Sequence, residues 1–508
     1  MLKEKKVMFV FLFILVLLSF KPTWLFNNPD LGSPGNDDLS YWLHAATIAY
    51  DFDINYLNDY SIGEGKFNYE TNVPYHPPGA GYLSSIFVFI FSLFDQIEYE
   101  RLNPIGSFAY LGYFFSSLFY FCFGMYLLSK VLQKNYPKSN RNNELILFSA
   151  FCGTLVHYVV TRFMMSHAIE FFLCSLLCYL LERSKGYFDQ RTLLYLFTTY
   201  YFLSFTRPST FIYSLCLFLI YLNKDSLNRK IILNIMINST VFALLHVLLS
   251  NYLYGTNTIF ENYQTNFQEQ NYQFDLLAVI ENIKFLPNLI FSTSMGMIWT
   301  LPIVVFGLFS LFNNDFYKGR NKLSKFFTFL YFLGAVIVLM VWEGRDVAFG
   351  QRLLIGLIPF CVLRVNNLLI NKTGKRIFTY FVSISYIGYY YFYSSSNLTL
   401  RPGKTLWGTN VGFTGENYFL YLLKELLNIE TLFSAFSRNI FSVNFLKFFP
   451  EDNLVRIFNS MFPNNEKISR LLELSEIYSN TELSYLLIGT LILLTFTYVF
   501  TRIITGQN

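Results

Sequence analysis

The sequence predicts an all-α polytopic membrane protein with about 12 transmembrane helices (roughly 11–13) and a small external domain near the C-terminus. Three observations predict it. Of 508 residues only 14% are charged and 53% are hydrophobic, with mean hydropathy +0.37, where a soluble chain carries about 25% charged residues. Apolar runs of roughly spanning length recur along the chain. The lysines and arginines between them favour alternate loops. This balance excludes an ordinary soluble enzyme and the disordered or collagen-like classes.

The net charge of +5 is small for the length, as expected of cytoplasmic loop charge. No basic patch interleaved with aromatics points to nucleic acid. Aromatics, mostly Phe and Tyr, make up 20% of the chain, as an AT-rich genome alone can produce. Cys122, Cys152, Cys174, Cys178, Cys216 and Cys361 all lie inside apolar stretches and form no disulfide framework. Cys174 and Cys178 share a helix face, but no His or carboxylate there completes a metal site, so packing accounts for them.

The N-terminal lysines Lys3, Lys5 and Lys6 precede an apolar run, Val7 to Phe20, with no small-residue cleavage site after it. An uncleaved first helix with its lysine end inside is expected. Further spans are expected around 106–129, 145–162, 167–182, 192–206, 209–222, 231–252, 296–312, 324–341, 352–367, 377–394 and 484–502. The apolar segment 79–94 is assigned by the positive-inside rule. If it crossed, the loop with Lys130, Lys134, Lys138 and Arg141 would face outward, as would every later basic loop. If it lies at the outer interface, those loops and both termini face the cytoplasm. The second arrangement places amphipathic interfacial helices in the first external loop. It leaves external pieces at 28–105, 253–295, 342–351 and 395–483. The last, of mixed polarity, reads as an external domain or cap tethered by a final helix and tail, 484–508.

Polar residues gather on the expected outer face. The first loop begins Gly35-Asn36-Asp37-Asp38-Leu39-Ser40-Tyr41 and continues to Ala45-Ala46. A helix N-cap accounts for one of the two aspartates. Two adjacent carboxylates at a membrane surface point to a site, since a carboxylate near lipid is costly unless used. The loop later reads Tyr75-His76-Pro77-Pro78-Gly79, where Pro opens a helix and His76 stands near its free N–H groups, a favourable place for phosphate. An interfacial turn is the plainer reading of the same residues. Arg162, His167 and Glu170 surround a hairpin tip, and Arg207-Pro208 forms another. Trp342, Glu343, Arg345, Asp346 and Arg352 form the densest cluster. Arg bonds phosphate in a bidentate manner and keeps its charge in apolar settings, although local salt bridges explain each Arg taken singly. Tyr254 and the Ser292–Gly296 segment flank the second external piece. No Gly-rich phosphate loop, HExxH helix, CxxC pair or GxSxG elbow is present.

In order and spacing these residues resemble the GT-C superfamily of membrane glycosyltransferases, which includes protein O-mannosyltransferases and lipid A aminoarabinose transferases. The resemblance covers 1–394. It rests on Asp37-Asp38 with Tyr41 and Ala45-Ala46, His76 before two prolines, Ser166-His167, Tyr252 to Gly255, Thr293 to Gly296, and Trp342, Gly344 and Phe349-Gly350-Gln351-Arg352. The chain departs from the family pattern in having Asp38 where Glu is common and His76 where Lys is frequent.

The resemblance implies an inverting transferase that takes a sugar from a polyprenyl-phosphate donor lipid. The acceptor would be a hydroxyl of a glycan, lipid or protein on the external, periplasmic face of a bacterial-type inner membrane. It implies Asp37 as the base, Asp38 as its orienting or acceptor-binding neighbour, and His76, Arg345 and Arg352 on the leaving phosphate. Tyr41, Arg162, His167, Glu170, Arg207, Tyr254 and Trp342 would bind substrate or support those groups. No cofactor follows from the sequence; Asp37, Asp38, Glu170 and Glu343 could supply ligands to a divalent metal, but no spacing fixes such a site. The competing readings are a lipid-linked oligosaccharide ligase or polymerase, a transporter or flippase, and a non-catalytic scaffold. Transport is disfavoured because the charges sit at span ends and no internal repeat is visible.

Overall fold

The computed structural model describes residues 8–13, 16, 36–56, 73–95, 107–137, 139–151, 153–222, 228–259, 261, 286, 290, 297–309, 323–341, 352–394 and 483–506. Among them every regular element is helical and none is a strand. The expected domain at 395–483 lies outside the described residues.

Helix α1 spans Asn36–Asp51 and α2 spans Gly79–Ser92. The sequence leads one to expect α1 as an amphipathic helix on a surface. Instead it is enclosed: every side chain from Asp38 to Ala46 is buried, the polar Ser40 and His44 included. A helix covered on all sides belongs to a core. Its small residues allow close packing, and Gly81 of α2 stands where any Cβ would strike His44 and the Tyr41 carbonyl. Helix α2 turns Gly79, Ala80, Gly81, Ser84 and Ser85 inward and leaves Ile86 and Ile90 exposed. Its 14 residues reach about 21 Å, short of the roughly 30 Å of a hydrocarbon core.

Helix α3, Phe108–Asn135, is the longest of the described elements at 28 residues. Its start is capped twice. Ser107 Oγ accepts from the Tyr110 N–H at 3.0 Å, and the Asp95 carboxylate accepts from the Phe108 and Ala109 N–H groups at 2.7 and 3.0 Å. Helix α4, Asn140–Ala150, leads into a second segment, Thr154–Val156, continued as a π-helix at His157–Thr161. The two parts are bent by 56°. The bend has a cause at Gly153, whose φ of +56° and approach to the Thr300 carbonyl admit no side chain.

Helices α5 (His167–Ser184), α6 (Gln190–Thr206) and α7 (Pro208–Tyr221) run back and forth, followed by α8 (Arg229–Tyr254). The sequence ends and starts each one locally. Asp189 caps α6 through the Thr192 N–H at 2.8 Å, Asn228 caps α8 through the Ile231 N–H at 2.9 Å, and Pro208 opens α7. Then come α9 (Pro302–Phe309), α10 (Ser324–Val341), α11 (Ile358–Arg364), α12 (Lys372–Ser394) and α13 (Leu483–Ile504). The expected single helix at 352–367 is instead three pieces, with 3-10 turns at Arg352–Leu357 and Val365–Ile370 around α11. Pro359 has no N–H to bond the carbonyl four residues back, so the helix restarts there.

By length and apolarity, α3 and α8 each suffice to cross a membrane, and the bent pair beginning with α4 makes a third candidate. Helix α8 exposes Leu233, Met236, Leu244 and Leu248, an outward apolar face that suits a lipid solvent. α3 packs between α2, α5 and α13, and α7 packs on α10. The helix ends near Glu182, Tyr221 and Arg364 come together at one end of this assembly. There Arg364 Nη2 donates to Glu182 Oε1 at 3.1 Å and to the Tyr221 hydroxyl at 2.6 Å. The N-termini of α5 and α7 and the C-terminus of α6 lie at the other end.

Candidate functional site

That other end gathers most of the polar residues singled out by the sequence. Asp38, fully buried on the first turn of α1, meets Arg162 at the tip of the π-helical hairpin. Arg162 Nη2 and Nε both donate to Asp38 Oδ2, at 2.5 and 3.1 Å. The π-turn aims Arg162 there, its N–H bonding the His157 carbonyl at 2.7 Å. Tyr113 holds the same hairpin from α3, its hydroxyl donating to the Met164 carbonyl at 3.2 Å. Tyr41, one turn beyond Asp38, accepts from Ser166 Oγ at 3.2 Å.

His76 is fixed by its backbone. Its N–H donates to Ser40 Oγ at 3.0 Å, and its carbonyl accepts from His44 Nε2 at 2.7 Å and from the Tyr254 hydroxyl at 3.3 Å. Its ring tilts against Tyr41 with centroids 5.0 Å apart. A carbonyl only accepts, so His44 carries its proton on Nε2. Nδ1 therefore accepts from the Tyr56 hydroxyl at 2.5 Å, which lies 3.3 Å from that of Tyr82. Burial above all pushes His44 down to about 3, against its bond to the His76 carbonyl and with the help of the His76 ring. His44 is thus a neutral strut.

Beside this stands a second buried group. His167 and Glu170, both fully enclosed, open α5. His167 Nδ1 lies 2.9 Å from Glu170 Oε2, and Thr210 Oγ1 donates to Glu170 Oε1 at 2.5 Å. Arg207, at the α6–α7 junction, brings Nε to 3.8 Å from Oε2. The Gly356 N–H completes the set, and a Cβ at Gly356 would collide with Thr210 and the Tyr213 hydroxyl. Arg352 is within electrostatic range of both Arg162 and His167, as Arg162 and Arg207 are of His167. Three guanidiniums therefore share one region with the Asp38 and Glu170 carboxylates, a pattern that suits an anion.

The structure thus brings together Asp38, Tyr41, His76, Arg162, His167, Glu170, Arg207, Tyr254 and Arg352. Asp37 lies on α1, but its side chain is outside the described set; Trp342 and Arg345 are outside the described residues altogether. Sequence reasoning missed His157, Tyr158 and the His44–Tyr56–Tyr82 chain. The Tyr158 ring packs 4.4 Å from His167, and His157 packs 4.8 Å from Tyr158. His157 sits five residues before Arg162, a spacing that α-helical periodicity separates and a π-turn joins. Among the described residues no three His, Cys, Asp or Glu side chains group as metal ligands.

Searches against protein-family models, curated proteins and solved structures found no match for this chain.

Proposed function

We propose that the protein is an inverting, GT-C-type glycosyltransferase. It moves a sugar from a polyprenyl-phosphate donor to an acceptor hydroxyl at the external face of the membrane. The observation that carries this reading is the gathering of Asp38, Arg162, His167, Glu170, Arg207 and Arg352 at one end of the helices, beside α1 and the His76 loop. A lipid-borne donor reaches such a site from the bilayer and needs no nucleotide-binding fold.

In this reading the chain crosses the membrane about 12 times, with its basic loops and both termini in the cytoplasm. Residues 395–483 form an external cap over the acceptor side. Asp37 removes the acceptor hydroxyl proton. Asp38, held by Arg162, keeps the start of α1 in register with it. His76, Arg345 and Arg352 stabilise the charge on the leaving polyprenyl phosphate, which departs with the electron pair of the broken C–O bond. Tyr41, Tyr254, Arg207 and Trp342 shape the cavity around the sugar. A divalent metal is compatible with this chemistry, but the sequence does not require one.

The test compares polyprenyl-phosphate lipids and envelope glycans, by mass spectrometry, in cells carrying wild-type protein or Asp37→Asn at equal expression. The expected result is loss of one glycan and accumulation of a polyprenyl-phosphate monosaccharide. Unchanged pools would remove the assignment of Asp37. If glycans are then lost only with Arg352→Ala, a lipid-linked oligosaccharide ligase or polymerase becomes the better reading; if they are unchanged there too, a transporter does.

A further inference from the structure

His167 is the best-defined polar side chain in the site to which the reaction above assigns no bond of its own. Its ring is fully buried. Nδ1 is tied to Glu170 Oε2 at 2.9 Å. The Glu170 carboxylate accepts from Thr210 on its other oxygen and has Arg207 at 3.8 Å, so it acts as an acceptor. Nδ1 therefore carries the proton, and Nε2 presents a lone pair. That Nε2 is buried, with no hydrogen-bond partner among the described residues. Leaving a buried acceptor unmet is costly, and such groups in native structures call for a partner. The neighbouring Arg162, Arg207 and Arg352 share the same region.

We propose that His167, oriented by Glu170, is a specificity-determining residue whose Nε2 accepts a hydrogen bond from a hydroxyl of the sugar carried by the donor lipid. The identity of that hydroxyl rests on the glycosyl-transfer reading; the tautomer does not. Such an acceptor cannot take an oxygen of the donor's phosphodiester, which has no proton to give at neutral pH, and the surrounding guanidiniums disfavour a cationic ligand. It selects a neutral donor, and a sugar hydroxyl is that group. A site built around such an acceptor rejects a ligand lacking the hydroxyl strongly, because the acceptor is then left unmet.

The test uses purified full-length protein with ring-15N-labelled histidine, the chain having only five, and His167→Gln for assignment. The probes are a polyprenyl-phosphate hexose and bare polyprenyl phosphate, each also scored by thermal stabilisation. Expected is an unprotonated Nε2 in the free protein, with a resonance that shifts with the hexose lipid and stays put with bare polyprenyl phosphate. His167→Phe should bind the hexose lipid at least ten-fold more weakly with bare-lipid binding unchanged. His167→Gln, whose amide keeps a donor toward Glu170 and an acceptor outward, should restore most of the difference. A protonated Nε2 in the free protein overturns the proposal, as does equal hexose-lipid binding by His167→Phe and wild type. If neither lipid stabilises the wild type, the glycosyl-transfer reading fails, and the sugar assignment with it.

Discussion

Asp38 and Arg162 stand 124 residues apart in the chain and share one carboxylate oxygen, with Nη2 and Nε both donating to Asp38 Oδ2. This pair locks the start of α1 to the tip of the π-helical hairpin. Asp38 is fully buried, whereas the Arg162 side chain keeps 20% exposure. Removing one partner of such a pair strands a buried charge, which costs about 3–5 kcal/mol. Arg162→Ala should therefore lower the unfolding midpoint in detergent sharply. Asp38→Asn with Arg162→Ala should cost less than the sum of the single changes. Strict additivity would mean that the pair is not coupled.

Gly153 and Gly255 allow a paired test of backbone and space. Both have positive φ, +56° and +66°. A Cβ at Gly153 would collide with the Thr300 carbonyl oxygen, whereas one at Gly255 meets nothing within 4 Å. Gly255→Ala should cost about 1–2 kcal/mol, the left-handed penalty alone. Gly153→Ala adds overpacking of about 1–3 kcal/mol and should reduce folded yield markedly. Thermal unfolding of both variants, followed by size-exclusion chromatography, ranks them.

His44 makes the protein acid-sensitive. Folded His44 stays neutral down to about 3, while the unfolded residue takes a proton at its ordinary value of 6.5. Between those values the unfolded state binds more protons, so stability rises with pH and is lost as pH falls below 6.5. At pH 5 the loss attributable to this residue is about 2 kcal/mol. His44→Gln keeps a donor for the His76 carbonyl and does not titrate. Its melting point should fall less than that of the wild type between pH 7 and pH 5; parallel curves would exclude His44 as the cause.

At the opposite end, Tyr221 donates to Glu182 Oε1 at 2.5 Å and accepts from Arg364 at 2.6 Å. Arg364 also lies over the Phe360 ring, 4.8 Å from its centroid. Hydrogen bonds to charged groups contribute about 1.5–3 kcal/mol. Tyr221→Phe should lower stability by that order while leaving binding of the polyprenyl-phosphate hexose unchanged, since the site lies at the other ends of α5 and α7. Weakened lipid binding at an unchanged melting point would contradict this separation of the two ends.

How much of this was legible in the sequence depends on the reach of each interaction. The helices after Ser107, Asp189 and Asn228 were legible from their apolar runs alone; the structure adds that each start is capped by an N–H bond only three residues away. The stop before Pro208 was legible because proline acts on its own turn. The polar residues gathered at one end were legible as a set, since antiparallel helices return every second loop to the same end. Their partners were not. Nothing in the residues around Asp38 names Arg162, and nothing around Glu170 names Gly356, because those bonds depend on which helix ends meet.

Composition and local pattern thus determined, by themselves, an all-helical chain suited to lipid and the grouping of Asp38, His76, Arg162, His167, Glu170, Arg207 and Arg352 at one end of the helices. Only the tertiary structure decided that α1 is enclosed on every side and that His44 and His157 belong to the site. The reason is physical. Helix formation and capping are settled within a turn or two of chain. Burial, buried ion pairs and the histidine tautomers are settled by neighbours from distant segments, which packing alone selects.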